Sequence, residues 1–181
     1  MITVDLEKVL HARKRVPGIE QEILTGMHVK EAVHYADWVI RGRWLEAEPL
    51  ILVDPESAAR YAEKVLRQEW KEAEPVIVQS ARAATRYASR VRRSRWLEAE
   101  PIIATSESAK YYARDVLAGR WDEKVAARCP CWLWFYAENE CDGSLPEELH
   151  NRMIGHHLRN RDDPWVKQYF STKKRPGRKS R

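Results

Sequence analysis

The sequence predicts an all-α fold: a solenoid-like array of about five two-helix repeats of about 26 residues, closed by a C-terminal helical cap. Three observations carry this reading. Trp44, Trp70, Trp96 and Trp121 are separated by 26, 26 and 25 residues. Around the first three a motif recurs: RWLEAEPLI at 43–51, EWKEAEPVI at 69–77 and RWLEAEPII at 95–103. A second block follows each of them: SAARYAEKVL from Ser57, AATRYASRVR from Ala83 and SAKYYARDVL from Ser108. Self-similarity at such a period marks stacked helical hairpins, each too small to bury its own apolar face.

In chain order, residues 1–17 are expected to form a helical lead-in and 18–143 the tandem repeats. In the first, degraded copy Glu20 and Glu22 take the two acidic positions and Gly18 stands where tryptophan would be. Ala32, Tyr35, Ala36, Val39 and Ile40 match the second block. In the next copy Ala47, Leu50 and Ile51 give a short apolar stripe, with Pro49 in the first turn, where its missing N–H costs little. Asp54-Pro55-Glu56 then supplies an N-cap, an N1 proline and an acid at the positive helix end. Ala58, Tyr61, Ala62, Val65 and Leu66 follow the i, i+3, i+4, i+7, i+8 pattern of one buried face. Trp121 opens a fifth copy, in which Pro130, Tyr136 and Ala137 keep the spacing of Pro55, Tyr61 and Ala62. Helices at 146–158 and 164–170 are expected to fold back as a cap within 144–171. Residues 172–181 are expected to be a disordered basic tail. The aromatic ladder reads as core.

The phrases YARDVL-x-GRW at 112–121 and RWLEAEPII resemble tandem repeats in proteins of tailed bacteriophages and some large viruses, with units similar to RWPEAEP and YARDVIKGRW. The resemblance covers about two-thirds of the chain. It implies a viral origin and an all-helical array, and brings no activity with it. The proline of RWPEAEP is replaced here by Leu45, Lys71, Leu97 and Asp122.

Charge is unevenly spread. Residues 159–181 hold nine bases and two acids, a balance of +7, while the rest holds 23 bases and 25 acids. The basic character therefore belongs to the C-terminus, and the body is near neutral. No apolar run reaches the roughly 20 residues of a membrane span. The N-terminus MITVDLEKVLHARKR has no apolar h-region, so no secretory signal is expected. Three cysteines make no disulfide framework, and a cytoplasmic setting (host cytoplasm for a viral protein) is the expectation.

Several groups could carry chemistry. The pairs Glu46/Glu48, Glu72/Glu74 and Glu98/Glu100 recur in every full copy, so they read as structural, stabilising helix starts and pairing with Arg43 or Arg95. Cys129, Cys131, Cys141 and His150 do not have zinc-finger spacing. Cys129 falls at an N-cap and Cys141 at the apolar position of Ile40, Leu66 and Leu117. His156 and His157 are adjacent and point apart. No phosphate loop, HExxH or triad pattern is present. No enzyme, metal or cofactor is expected. Trp132, Trp134 and Phe135 replace small or polar residues of other copies and need a cover: the cap or a partner.

Two basic features remain as binding candidates. Lys173, Lys174, Arg175, Arg178, Lys179 and Arg181 suit phosphates or an acidic protein, without aromatics for base stacking. Arg82, Arg86, Arg90, Arg92 and Arg93 form an acid-free arginine face in the third copy. Arg92 occupies a position that is apolar in the other copies, so Arg92→Leu is expected to raise stability. The functional expectation is a non-enzymatic binding protein acting on a host or viral protein. The alternatives are a nucleic-acid-binding accessory factor using the tail and arginine face, and a virion component.

Overall fold

The structure is a computed structural model that describes residues 14–117, 130–141 and 143–172. Among these residues it is all-α, without a strand. Trp121 and Cys129, the side chain of Trp132 and the tail cations from Lys173 onward lie outside the described residues. The chain divides into two compact units, 1–99 and 100–181.

In the first unit, α1 spans Pro17–Thr25. Helix α2, Val29–Tyr35, widens into a π-helical turn over Ala36–Ile40. A 3-10 turn, Leu45–Ala47, then leads into the single α-turn α3, Glu48–Ile51. The same order follows once more: α4 (Pro55–Tyr61) with a π-turn over Ala62–Leu66, and Lys71–Ala73 into α5 (Glu74–Ile77). Helix α6, Ala81–Tyr87, ends in the π-turn Ala88–Arg92.

Local chemistry fixes these boundaries. Asp54 accepts the Ser57 N–H at 2.8 Å and the Ser80 hydroxyl accepts that of Ala83 at 3.2 Å, satisfying donors that a helix start leaves orphaned. Pro55 sits at N1 of α4, where no N–H is needed. In the copies that begin at Trp44 and Trp70 the first helix is shorter than the apolar stripe suggests. Its opening turn is 3-10, and Pro49 and Pro75 enter only as the second residue of α3 and α5.

Packing follows the small residues. Ala58, Ala62, Ala84 and Ala88 are fully buried, which lets α4 lie directly against α6. The aromatic side chains fill the space between layers. Tyr35, Tyr61 and Tyr87 are fully buried, while Trp44, Trp70 and Trp96 are each 3% exposed. Their rings pair as Tyr35–Trp44, Tyr61–Trp70 and Tyr87–Trp96 with centroids 5.2–5.4 Å apart, within the range of favourable tilted contacts. The motif tryptophans Trp44, Trp70 and Trp96 are core.

In the second unit, α7 spans Glu100–Ile103, α8 Ser108–Asp115 and α9 Pro130–Glu140. Helices α10, Glu147–Arg159, and α11, Pro164–Thr172, lie close to the expected bounds. Both pack on α9. Trp165 of α11 covers Trp134 at 5.0 Å between ring centroids, so this aromatic is sheltered within its own unit.

Candidate functional site

The two glutamates of each motif have different surroundings. Glu46, Glu72 and Glu98 are exposed, whereas Glu48 and Glu100 are buried and Glu74 is half-buried. The second glutamate anchors a three-part lock. The Tyr61 hydroxyl accepts the Trp44 N–H at 2.7 Å and donates to Glu48 at 3.4 Å. Arg43 grips the same carboxylate with Nε at 2.7 Å and Nη2 at 3.0 Å, a bidentate pair. In the next copy the Tyr87 hydroxyl accepts the Trp70 N–H at 2.7 Å and donates to Glu74 at 3.3 Å. In the second unit Tyr112 donates to Glu100 at 3.3 Å. Burial pushes the Tyr61 and Tyr87 phenols up to about 12, and raises that of Tyr35 as well. These carboxylates are occupied in holding the fold.

The lock also corrects the register of the first copy. The Tyr35 hydroxyl accepts from Val16 N–H at 2.8 Å and donates to Glu20 at 3.1 Å, and Arg15 grips Glu20 at 2.8 and 3.0 Å. Arg15, Val16 and Glu20 therefore take the places of Arg43, Trp44 and Glu48. The expected alignment put Gly18 opposite tryptophan and Glu22 opposite Glu48. The two extra residues lie in α1, which runs nine residues where 45–51 spans seven. Hydrogen bonding to Glu20 holds the Arg15 guanidinium above its usual range and lowers the Glu20 carboxyl.

The structure separates the five arginines of the third copy. Arg82 lies 4.0 Å from Glu56, Arg86 pairs with Glu63 at 3.1 Å, and Arg92 pairs with Glu74 at 3.0 Å. Arg90 and Arg93 are exposed. The position of Arg92 is not fully buried in the other copies either: Ile40, Leu66, Leu117 and Cys141 are all half-buried. Arg92 itself is 18% exposed at its side chain and lies over the Trp96 ring at 5.3 Å, a cation–π distance.

One further set of basic residues includes Arg93 of the expected arginine face and two residues, Arg41 and Arg67, that the sequence did not single out. Arg41, Arg67 and Arg93 close the three π-turns in left-handed conformation, with φ of 57°, 55° and 51°. Glycine is the usual residue there because a Cβ is penalised. Among the described residues none of the three is in an ion pair. The only available sequence signal was an arginine six residues after the motif tyrosine in three successive copies. The π-turns pack beside one another, so the three arginines line one end of the second helices.

Two open concavities lie along this edge. One, of about 420 Å³, is lined by Trp38, Arg41, Lys64 and Arg67 together with Asp37 and Val65. The other, of about 640 Å³, shares Asp37, Lys64 and Arg67 and reaches Arg90 and Arg93, with Glu63 on its wall. Five cations face two acids, and Glu63 is already engaged by Arg86 and Lys64. Trp38 is 51% exposed and holds the position that is Lys64 and Arg90 in the following copies. His34 meets its ring edge-on at 6.1 Å.

In the second unit Cys131 is buried, its thiol donating to the Ser106 carbonyl at 3.3 Å, and Cys141 is half-buried. Among the described residues no three His, Cys, Asp or Glu side chains cluster to hold a metal ion. His150 Nδ1 is 2.8 Å from the Tyr169 hydroxyl, and the His150 and His157 rings both pack on Phe170. No helix among the described residues is long and apolar enough to cross a membrane.

No protein-family model, curated protein or solved structure matches the chain.

Proposed function

We propose that the protein is a non-enzymatic binding module, a solenoid-like array of about five two-helix repeats that presents its basic edge to an anionic macromolecule. The row of left-handed arginines carries this reading. A non-glycine residue in left-handed conformation costs about 1–2 kcal/mol, and here the cost recurs at three equivalent positions with the same side chain. Strain repeated at exposed, unpaired cations is explained by what the cations meet outside the chain. The carboxylates that could have served acid–base chemistry support the same reading, because Glu48 and Glu74 are used up in the tyrosine locks.

The test is salt-dependent retention on a sulfated polyanion matrix. The variant Arg41→Asn/Arg67→Asn/Arg93→Asn removes three charges while keeping a residue type that tolerates left-handed backbone. It should elute at lower salt than the parent. Equal elution by two folded proteins would overturn the proposal.

A further inference from the structure

We infer that the groove along the π-turns binds single-stranded nucleic acid, with Arg41, Arg67, Arg93, Lys64 and Arg90 along the phosphates and Trp38 as a stacking platform for a base. The inference rests on the basic-edge reading and adds the ligand's class.

Two features separate this ligand from other anions. The cations are periodic, one left-handed arginine in each of three successive copies on adjoining π-turns, which suits a polymer with regularly repeated charge better than a single anion. An exposed tryptophan shares a concavity with Arg41 and Arg67, and its indole packs on no aromatic but His34 among the described residues. Single-strand binders combine a basic groove with aromatic faces because every base offers a π-surface whatever its identity. A base paired in a duplex keeps its faces stacked and has none to offer. An acidic polypeptide would use the arginines and leave Trp38 without a role. The neighbouring copies show what a purely electrostatic groove would carry at position 38, namely lysine or arginine.

Position 38 therefore provides the decisive variant. Trp38→Lys places there the residue that Lys64 already shows to be compatible with the fold, deletes the stacking face and adds a positive charge. Fluorescence anisotropy on the full chain would compare three labelled probes: a 20-mer of oligo(dT), a duplex of equal charge, and poly-glutamate. The segment from Lys173 to Arg181 stays in every variant, so differences between variants report the groove. The expected result is preference for oligo(dT), with Trp38→Lys weakening it at least about 5-fold despite the added charge. The triple asparagine variant should flatten the slope of log affinity against log salt by about 2, as expected for three lost phosphate contacts on a single strand. Tighter oligo(dT) binding by Trp38→Lys, or equal binding of duplex and oligo(dT), would overturn the single-strand assignment and leave the basic edge standing. Poly-glutamate binding that depends on the three arginines but not on Trp38 would assign the edge to an acidic protein. If the triple variant bound all three probes like the parent, the basic-edge reading would fall too.

Discussion

Arg92 Nη1 lies 3.0 Å from Glu74 Oε1, and this pair replaces one that other copies make locally. In the preceding copies the lock glutamate is gripped by the arginine five residues before it, Arg15 for Glu20 and Arg43 for Glu48. The equivalent residue before Glu74 is Glu69, which pairs with Lys71 instead. Arg92 restores the missing cation from the π-turn of its own copy, and Lys71 adds a second contact at 3.1 Å. The rule broken at position 92 and the rule broken at position 69 are one compensated change.

The first prediction reverses the sign expected from sequence. Arg92→Leu should destabilise the protein by about 1–2 kcal/mol, because Glu74 loses a charge-assisted partner in a half-buried site. Adding Glu69→Arg should recover most of the loss, since it recreates the Arg43–Glu48 geometry. Urea unfolding of the single and double variants measures both. A stabilised Arg92→Leu protein, or no recovery in the double variant, would separate the two positions.

The tyrosine lock gives the second prediction. Tyr87→Phe keeps the ring against Trp96 and removes the acceptor of the buried Trp70 N–H. An unsatisfied buried donor costs about 1–3 kcal/mol. Trp70→Ala also empties ring volume and should cost about 3–5 kcal/mol. The melting temperature of Tyr87→Phe should fall between those of the parent and Trp70→Ala.

How far the sequence disclosed this architecture depended on whether a feature repeats in residue type or only in geometry. The Trp and Tyr ladder, the Asp54 cap and the helices after Pro146 were legible because burial and capping restrict residue identity. The first copy was misaligned by two residues because Val16 donates the same backbone N–H as Trp44, and a backbone donor leaves no mark on side-chain type. Arg15, five residues before Glu20, was the surviving clue. The arginine face of the third copy was overread from charge alone. Glu56, Glu63 and Glu74 lie 26, 23 and 18 residues before Arg82, Arg86 and Arg92 respectively, and meet them only in the folded chain. Arg93 was singled out for its charge, but its grouping with Arg41 and Arg67 was missed, because the left-handed backbone that the three share at a helix end is not written in residue type.

A third prediction concerns alkaline pH. The folded phenols of Tyr61 and Tyr87 are raised to about 12 from an ordinary value of 10.0, chiefly by burial. The folded state therefore holds these protons more tightly than the unfolded chain does. Their contribution to stability is complete below pH 10 and is lost as pH rises toward 12. Absorbance at the tyrosinate band should show an early class of phenols and a late class that ionises together with loss of helical circular dichroism. Full titration near pH 10 with the fold intact would contradict the buried locks.

The last prediction sets stability against binding at a single residue. Arg67 holds φ of 55° at the end of its π-turn, and its Cβ is the source of the penalty. Arg67→Gly removes that penalty of about 1–2 kcal/mol and gives back part of it through a more flexible unfolded chain. A net gain of about 0.5–1 kcal/mol should remain. Because Arg67 is exposed and lines both concavities, the same change should weaken anion retention. Arg60→Gly is the control: it also removes an exposed arginine, but from the ordinary helix α4, where glycine costs about 1 kcal/mol relative to alanine. Arg67→Gly should thus melt higher and bind more weakly, and Arg60→Gly should melt lower with retention near that of the parent. If Arg67→Gly gained stability and kept full retention, the left-handed arginine would be a tolerated accident of the helix end. If it lost stability, the Arg67 side chain would be contributing more to the fold than its single 3.4 Å hydrogen bond to the Lys64 carbonyl indicates.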